Sequence, residues 1–258
     1  MIFSLASSLA TLGLITQCVK APSCVQTQEP ATPIQQAQQA EEPAEVAAVE
    51  LDPLMEAQSQ KLVAEVKIPV PFTSQAPYKE WVPPYDEACE EASLAMVEFF
   101  LDGRTFTPDT ASAEIKYLIA LEDRYSWSVD ISTLQVARLA SETYHRKYYR
   151  YAGADVSIDN MKKLLAAGYP IILPVAGKEL QNPNFQGDGP PYHMIVLTGY
   201  NQENFYAHDP GTQLGEHFEY PQDRLYNAIH EWTGDRPTII EGEKAMLILE
   251  QNVSYNFK

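Results

Sequence analysis

The chain has 258 residues, with 35 acidic and 18 basic side chains and a formal net charge of −17. This charge disfavours nucleic acids and anionic membrane surfaces as partners, because both bind basic patches. The length is sufficient for one core-bearing domain with accessory segments.

Residues 1–24 resemble an export signal. They begin with an apolar run that is too short to span a membrane, although no Lys or Arg precedes it. Cys18 follows this run as the lipidated cysteine of a bacterial lipoprotein would, but Gln17 replaces the usual small residue. Cys24 is a second candidate. We therefore expect an exported protein whose membrane attachment, if it has one, is made through the N-terminus.

Residues 25–66 are rich in Ala, Gln, Glu and Pro and contain no aromatic residue. A segment of this composition buries too little apolar surface to offset the entropy lost on ordering. We predict a disordered linker here, with at most a transient helix in residues 51–66. The folded domain is predicted to cover residues 67–258.

Periodicity and capping signals place helices early in this domain and strands mostly late. The predicted helices are 87–101, with Asp86 as its N-cap, 109–121, 132–144 and 158–167. The predicted strands are 67–72, 146–151, 169–176, 192–200, 204–208 and 245–250. Helices followed by an antiparallel sheet indicate an α+β domain.

Cys89 is the one cysteine of the predicted domain and lies in the first turn of a helix. The positive end of the helix dipole favours the thiolate there. An alternative is a core position, because Ala92 and Met96 follow at helical spacing on the apolar face. Glu90 and Glu91 would raise the pKa of the thiol if they faced it, but helical spacing predicts that they point away.

His193 begins an apolar strand directly after a Gly- and Pro-rich segment, a position typical of a cleft edge. The alternative is a buried structural histidine, because Met194–Leu197 are all apolar. Asp209 ends the next strand, where an aspartate before Pro210–Gly211 also stabilises a turn. Since neighbouring antiparallel strands bring such residues side by side, Asp209 is a candidate to orient the imidazole.

A nucleophile on a helix, a base on a strand and an acid on the next strand form the arrangement of a cysteine hydrolase. Gln75 precedes the cysteine by fourteen residues. On its own it is an ordinary loop residue, but its amide could donate to an oxyanion. This chemistry needs no metal or cofactor, and the sequence has neither a clustered Cys/His zinc motif nor a glycine-rich phosphate loop.

These motifs together resemble the papain-like cysteine peptidases. Within them, the chain is most similar to the bacterial family related to the bacteriocin-processing, double-glycine-leader peptidases (cysteine peptidase family 39-like). That family carries an early Pro-Phe-x-x-Gln, then a Cys at a helix start, then His and Asp on sheet strands. The matching positions are residues 71–75, Cys89, His193 and Asp209, and the similarity extends over about 67–250.

The resemblance implies a papain-like fold, with N-terminal helices packed against a C-terminal antiparallel sheet. It implies a hydrolase that cleaves peptide or amide bonds, with a peptide or peptidoglycan-like substrate. Relatives often carry Cys-Gly-Pro-Ala-Ser, whereas residues 89–93 read Cys-Glu-Glu-Ala-Ser and are more acidic. Two alternatives therefore stay open: a cell-wall amidase, and a non-catalytic surface module that binds peptide or glycan in the same cleft.

Phe185 and Trp81 are candidate substrate-binding residues. Phe185 lies in residues 177–191, a long segment rich in Gly, Pro and Asn that ends just before His193. Long loops of this kind often serve as lids or binding loops, and Gly187 and Gly189 are candidate hinges. Trp81 lies in the turn-rich approach to Cys89.

Overall fold

The computed structural model describes residues 52–250; the predicted export segment and most of the predicted linker lie outside them. The helices are α1 Pro53–Ala57, α2 Cys89–Leu101, α3 Pro108–Tyr125, α4 Thr133–Tyr144, α5 Ile158–Ala166 and α6 Gln222–Ala228. The strands are β1 Val66–Lys67, β2 Tyr148–Ala152, β3 Ile171–Val175, β4 His193–Tyr200, β5 Asn204–His208, β6 Phe218–Pro221 and β7 Ala245–Leu249. None of the helices in this range is both long and apolar enough to cross a membrane.

The seven strands form one antiparallel sheet in the order β2-β7-β3-β4-β5-β6, with β1 added against β4. Val196 of β4 pairs with His208 of β5. Asp209 follows β5 directly, so it lies beside the first residues of β4, where His193 is located. The predicted α+β class, with helices before an antiparallel sheet, is confirmed.

Helix α2 is the central helix of the domain. Its residues from Cys89 to Phe99 are all buried, because β4 covers one side and α3 and α4 cover others. Ser93 Oγ donates to the carbonyl oxygen of Met194 at 3.1 Å, across the contact between α2 and β4. This bond fixes the position of the helix along the strand.

Helix α2 begins later than predicted. Asp86 is not its N-cap, because the preceding residues form a separate 3-10 turn, Tyr85–Glu87, in which Asp86 is exposed. Ala88 occupies the N-cap position and makes no side-chain capping bond. Cys89 is consequently the first residue of the helix.

The predicted linker ends earlier than expected. Asp52 caps helix α1 through its carboxylate, which accepts from the N–H of Leu54 at 2.8 Å. Leu54 and Ala57 are buried in the main core, and the hydroxyl of Tyr151 donates to Asp52 at 2.9 Å. The burial of Leu54 and Ala57, together with the cap formed by Asp52, therefore orders a segment whose composition predicted disorder.

The first strand is shorter than predicted, and two later elements were not predicted. Pro69 and Pro71 have no N–H to donate to a ladder, which limits the predicted strand 67–72 to its first residue, now paired in Val66–Lys67. Strand β6 and helix α6 occupy a stretch to which the sequence analysis assigned no element. Strand β6 pairs with β5 and so lies next to Asp209.

Candidate active site

A cavity of about 640 Å³ lies where the start of α2 faces the start of β4. One part of its lining is contributed by the chain before and at α2: Gln75, Trp81, Asp86, Glu87 and Cys89. The other part comes from two loops and β4: Asn184, Phe185, Gln186, Gly189, Pro190, Tyr192, His193, Gly211, Thr212, Gln213 and Leu214. Five of the six residues predicted for the site therefore line one cavity, and Asp209 lies behind it.

Cys89 is buried, with 6% of its surface exposed, and its thiol donates to Glu90 Oε2 at 2.9 Å. The expectation that Glu90 points away from the thiol is wrong. The other oxygen of Glu90 accepts the backbone N–H of Ile131 at 3.0 Å, which turns the long side chain back over the start of the helix. Glu91 does face elsewhere, toward Glu122.

The environment of Cys89 opposes formation of the thiolate. Burial, followed by the negative charge of Glu90 and its hydrogen bond, raises the pKa of the Cys89 thiol well above its ordinary value. Burial and the charge of Glu91 likewise raise the pKa of Glu90. The helix-dipole effect expected from the sequence is therefore outweighed in this arrangement of side chains.

His193 is almost fully buried, and its Nε2 lies 2.7 Å from Asp209 Oδ1. The ring nitrogen not engaged by Asp209 is Nδ1. Among the described residues, no hydrogen bond joins His193 to Cys89, although both side chains line the cavity. The ring lies against Gly211, where a Cβ would come within 2.9 Å of His193 Cε1, so only glycine allows this close approach.

Asp209 is fully buried and ionised. Burial alone would raise its pKa, but the charge and hydrogen bond of His193, together with bonds from Tyr220 and the Gly211 N–H, hold the pKa below its usual value. Asn182 also donates to Asp209, at 3.1 Å. The sequence analysis missed Asn182 and Tyr220. The alternation of apolar and polar residues in 218–221 is a strand signal that could have indicated Tyr220.

Gln75 is positioned by the turn that follows Asp209. Its backbone N–H donates to the carbonyl oxygen of Pro210 at 3.0 Å, and Ser74 Oγ donates to the same oxygen at 3.1 Å. The side-chain Nε2 donates to the carbonyl oxygen of Tyr85 at 3.0 Å. Gln75 Oε1 is buried with no hydrogen-bond partner among the described residues. One amide hydrogen of Nε2 is left for a further acceptor.

Phe185 and Trp81 both line the cavity, Phe185 from the loop before β4 and Trp81 from the chain before α2. The ring of Phe185 meets the ring of His193 edge to face, with centroids 5.5 Å apart. Trp81 packs on the small apolar cluster beneath it that contains Tyr85 and Ala88. The segment 177–191, predicted as a lid or binding loop, contributes Phe185 to the cavity lining, and Asn182 within it is buried.

No group of three or more His, Cys, Asp or Glu side chains suited to a metal ion occurs within residues 52–250. A family model described as the Peptidase_C39 like family matches residues 67–236. The crystal structure of a proposed C39-like peptidase from Bacillus anthracis is similar at 19% identity and a TM-score of 0.48, covering 72% of this chain and 98% of that one. No curated protein matches the chain.

The family match covers well over half of the chain, and it contains Gln75, Cys89, His193 and Asp209. The resemblance inferred from the sequence motifs is thereby confirmed, and the chain belongs to the Peptidase_C39 like family.

Proposed function

We propose that the protein is a thiol-dependent hydrolase that cleaves peptide or amide bonds. One observation carries this proposal: Asp209 engages Nε2 of His193, which leaves Nδ1 for the thiol of Cys89 in the same cavity. A buried acid that orients an imidazole beside a cysteine is the arrangement that nucleophilic catalysis requires.

In this mechanism, His193 Nδ1 accepts the proton of Cys89 once the thiol leaves Glu90. The thiolate then attacks the substrate carbonyl, and His193 returns the proton to the leaving amine. Asp209 keeps the imidazole in the correct tautomer and stabilises the imidazolium. Water releases the acyl group in a second half-reaction of the same kind. These steps use side chains of this chain, the substrate and one water molecule.

The oxyanion of the tetrahedral intermediate needs two donors. Cys89 is the first residue of α2, so its backbone N–H has no intrahelical acceptor. Gln75 Nε2 supplies the second donor through the hydrogen that Tyr85 does not use. Both donors are held by backbone contacts before substrate binds, which is the preorganisation that makes such donors effective.

A non-catalytic module that binds peptide or glycan in this cavity is the second candidate. The hydrogen bond from the Cys89 thiol to Glu90 favours it, because this bond holds the sulfur in its unreactive form. Under this alternative, His193 and Asp209 would form a structural hydrogen-bonded pair.

Thiol alkylation with iodoacetamide separates the two candidates. For a hydrolase, His193→Ala slows alkylation of Cys89 clearly and lowers peptide hydrolysis by about 10²–10⁴-fold. His230→Ala is the control, because this ring bonds to the Gly242 carbonyl away from the cavity. Equal alkylation in the parent and both variants, together with retained binding of peptide or glycan, contradicts the hydrolase and supports the binding module.

The substrate class is tested separately, with a peptide library and with purified peptidoglycan. The predicted export segment favours a substrate outside the cytoplasm. Cleavage of peptides between ordinary residues supports a peptidase. Release of stem peptides from peptidoglycan, without cleavage of the library, supports the cell-wall amidase on the same fold.

A further inference from the structure

We propose that Asn182 and Tyr220 are positioning residues that hold Asp209 in the orientation required by His193. This inference deepens the proposed function, since it rests on the role of the His193–Asp209 pair there. Neither residue lines the cavity, so each would act through Asp209 and not on the substrate.

The two carboxylate oxygens of Asp209 are each bound by two donors. Oδ1 accepts from His193 Nε2 at 2.7 Å and from the Gly211 N–H at 2.9 Å. Oδ2 accepts from the Tyr220 hydroxyl at 2.5 Å and from Asn182 Nδ2 at 3.1 Å. Asn182 Nδ2 also donates to the Tyr220 hydroxyl at 2.7 Å, which closes a triangle on the side away from His193.

This arrangement fixes both the charge and the plane of the carboxylate. Asp209 is fully buried, and an ionised carboxylate in such a place is stable only when its oxygens are satisfied by donors. Without the donors at Oδ2, the group would gain a proton more readily and could rotate about its Cβ–Cγ bond. Either change would allow the imidazole to adopt the other tautomer. In that tautomer Nδ1 carries a proton and cannot accept one from the thiol.

Asn182 also connects this carboxylate to the loop that forms one wall of the cavity. Its Oδ1 accepts the N–H of Asn184 at 2.9 Å, and its carbonyl oxygen accepts the N–H of Phe185 at 3.2 Å. The ring of Phe185 in turn packs against the ring of His193. The loop is therefore connected to His193 by two routes: Asn182 binds Asp209, and Phe185 packs against the imidazole ring.

Tyr220→Phe tests the inference with the least disturbance, because it removes one hydroxyl and keeps the ring. Tyr206→Phe is the matched control: Tyr206 lies on the neighbouring strand β5, and its hydroxyl also donates to a carboxylate, Glu65, at 2.7 Å. Asn182→Ala is the second variant, and the double variant tests whether the two donors act on one group.

Two measurements are made on each variant. The first is the NMR signal and solvent exchange of the Nε2 proton of His193 in protein labelled with ¹⁵N-histidine. The second is the pH profile of peptide hydrolysis with kcat and KM separated. We expect Tyr220→Phe to speed exchange of this proton, to lower kcat about tenfold with KM unchanged, and to move the acid limb up by about one pH unit. Asn182→Ala should do the same and also raise KM through Phe185.

The NMR measurement does not depend on hydrolysis, so the inference and the proposed function can fail separately. Faster exchange in Tyr220→Phe and not in Tyr206→Phe, without any hydrolysis by the parent, would keep the positioning role and reject the hydrolase. Unchanged exchange and an unchanged pH profile in Tyr220→Phe and in the double variant would overturn the inference.

Discussion

The Cys89 thiol donates to Glu90 Oε2 at 2.9 Å, and no hydrogen bond links it to His193 in the part of the chain that the structure describes. The proposed nucleophile is thus held by an acid at the neighbouring position. For the proposed reaction, the sulfur has to exchange this partner for the imidazole. The contact between Cys89 and Glu90 therefore adds to burial in lowering the reactivity of the thiol.

Glu90→Gln should make Cys89 more reactive. Burial contributes most to the raised pKa of the thiol, but the charge of Glu90 comes next, and glutamine removes that charge while keeping an oxygen for the Ile131 N–H. We expect iodoacetamide alkylation at pH 7 to rise about tenfold for each unit by which the pKa falls. The control is Glu87→Gln, which lies on the cavity wall and pairs with Arg236. An unchanged rate in Glu90→Gln would show that burial alone suppresses the thiolate.

Gln75→Ala should lower turnover by about 10²–10³-fold and leave alkylation of Cys89 nearly unchanged, because in the proposed mechanism the amide acts on the oxyanion. Gln213→Ala is a close control, since Gln213 lines the same cavity and its Nε2 also donates to a backbone carbonyl, that of Ala76. Turnover and alkylation are measured on the same preparations. Equal turnover in Gln75→Ala and the parent would remove Gln75 from the oxyanion site.

Acid should destabilise the domain through His208. The ring is fully buried, with Nε2 bonded to the Val70 carbonyl and Nδ1 accepting the His217 N–H, so both nitrogens are satisfied in the neutral form. Burial lowers the pKa of His208 to about 4. The neutral ring therefore contributes stability that is present above the unfolded pKa of about 6.5 and is lost as the pH falls toward 4.

The expected loss from this one group is about 3 kcal/mol of unfolding free energy across that range. It can be measured by urea denaturation at several values between pH 7 and pH 4. His208→Gln keeps a donor and an acceptor but has no proton to gain, so its stability should fall less steeply with acid. A slope equal to that of the parent would assign the acid sensitivity to other groups.

Leu54→Ala should lower the unfolding free energy by about 2 kcal/mol, because the side chain is 8% exposed and packs in the main core. Met55→Ala is the control on the same short helix, since Met55 is 68% exposed. Both are compared by the midpoint of chemical denaturation. Equal effects would indicate that burial of the Leu54 side chain does not contribute to the stability of the domain.

The fold class and the core of the site could be predicted because they depend on local patterns. A continuous apolar run predicted β4 within one residue, and β5 was predicted at its observed bounds. Two antiparallel neighbours must then bring His193 and Asp209 together, whatever the rest of the fold. The start of α2 was harder, because Asp86 has the chemistry of an N-cap but lies in a turn of its own.

The contacts that were missed depend on residues far apart in the sequence. Ile131 turns Glu90 toward the thiol from a loop forty-one residues away. Tyr220 and Asn182 meet at Asp209 from a strand and a loop, and neither position has a local pattern that specifies this meeting. Helix α1 was read as linker because its order comes from Leu54, Ala57 and Tyr151 together, and not from the composition around it.

The hydrogen bond from Ser93 to Met194 has a consequence for the geometry of the reaction. Ser93 lies one helical turn after Cys89, and Met194 follows His193 directly. The sulfur belongs to the helical layer and the imidazole to the sheet, so a slide of one layer along the other would change the distance between them. The hydrogen bond from the Ser93 hydroxyl opposes such a slide. In the proposed reaction, the distance between the Cys89 sulfur and the His193 imidazole thus depends on Ser93, which is not among the residues that line the cavity.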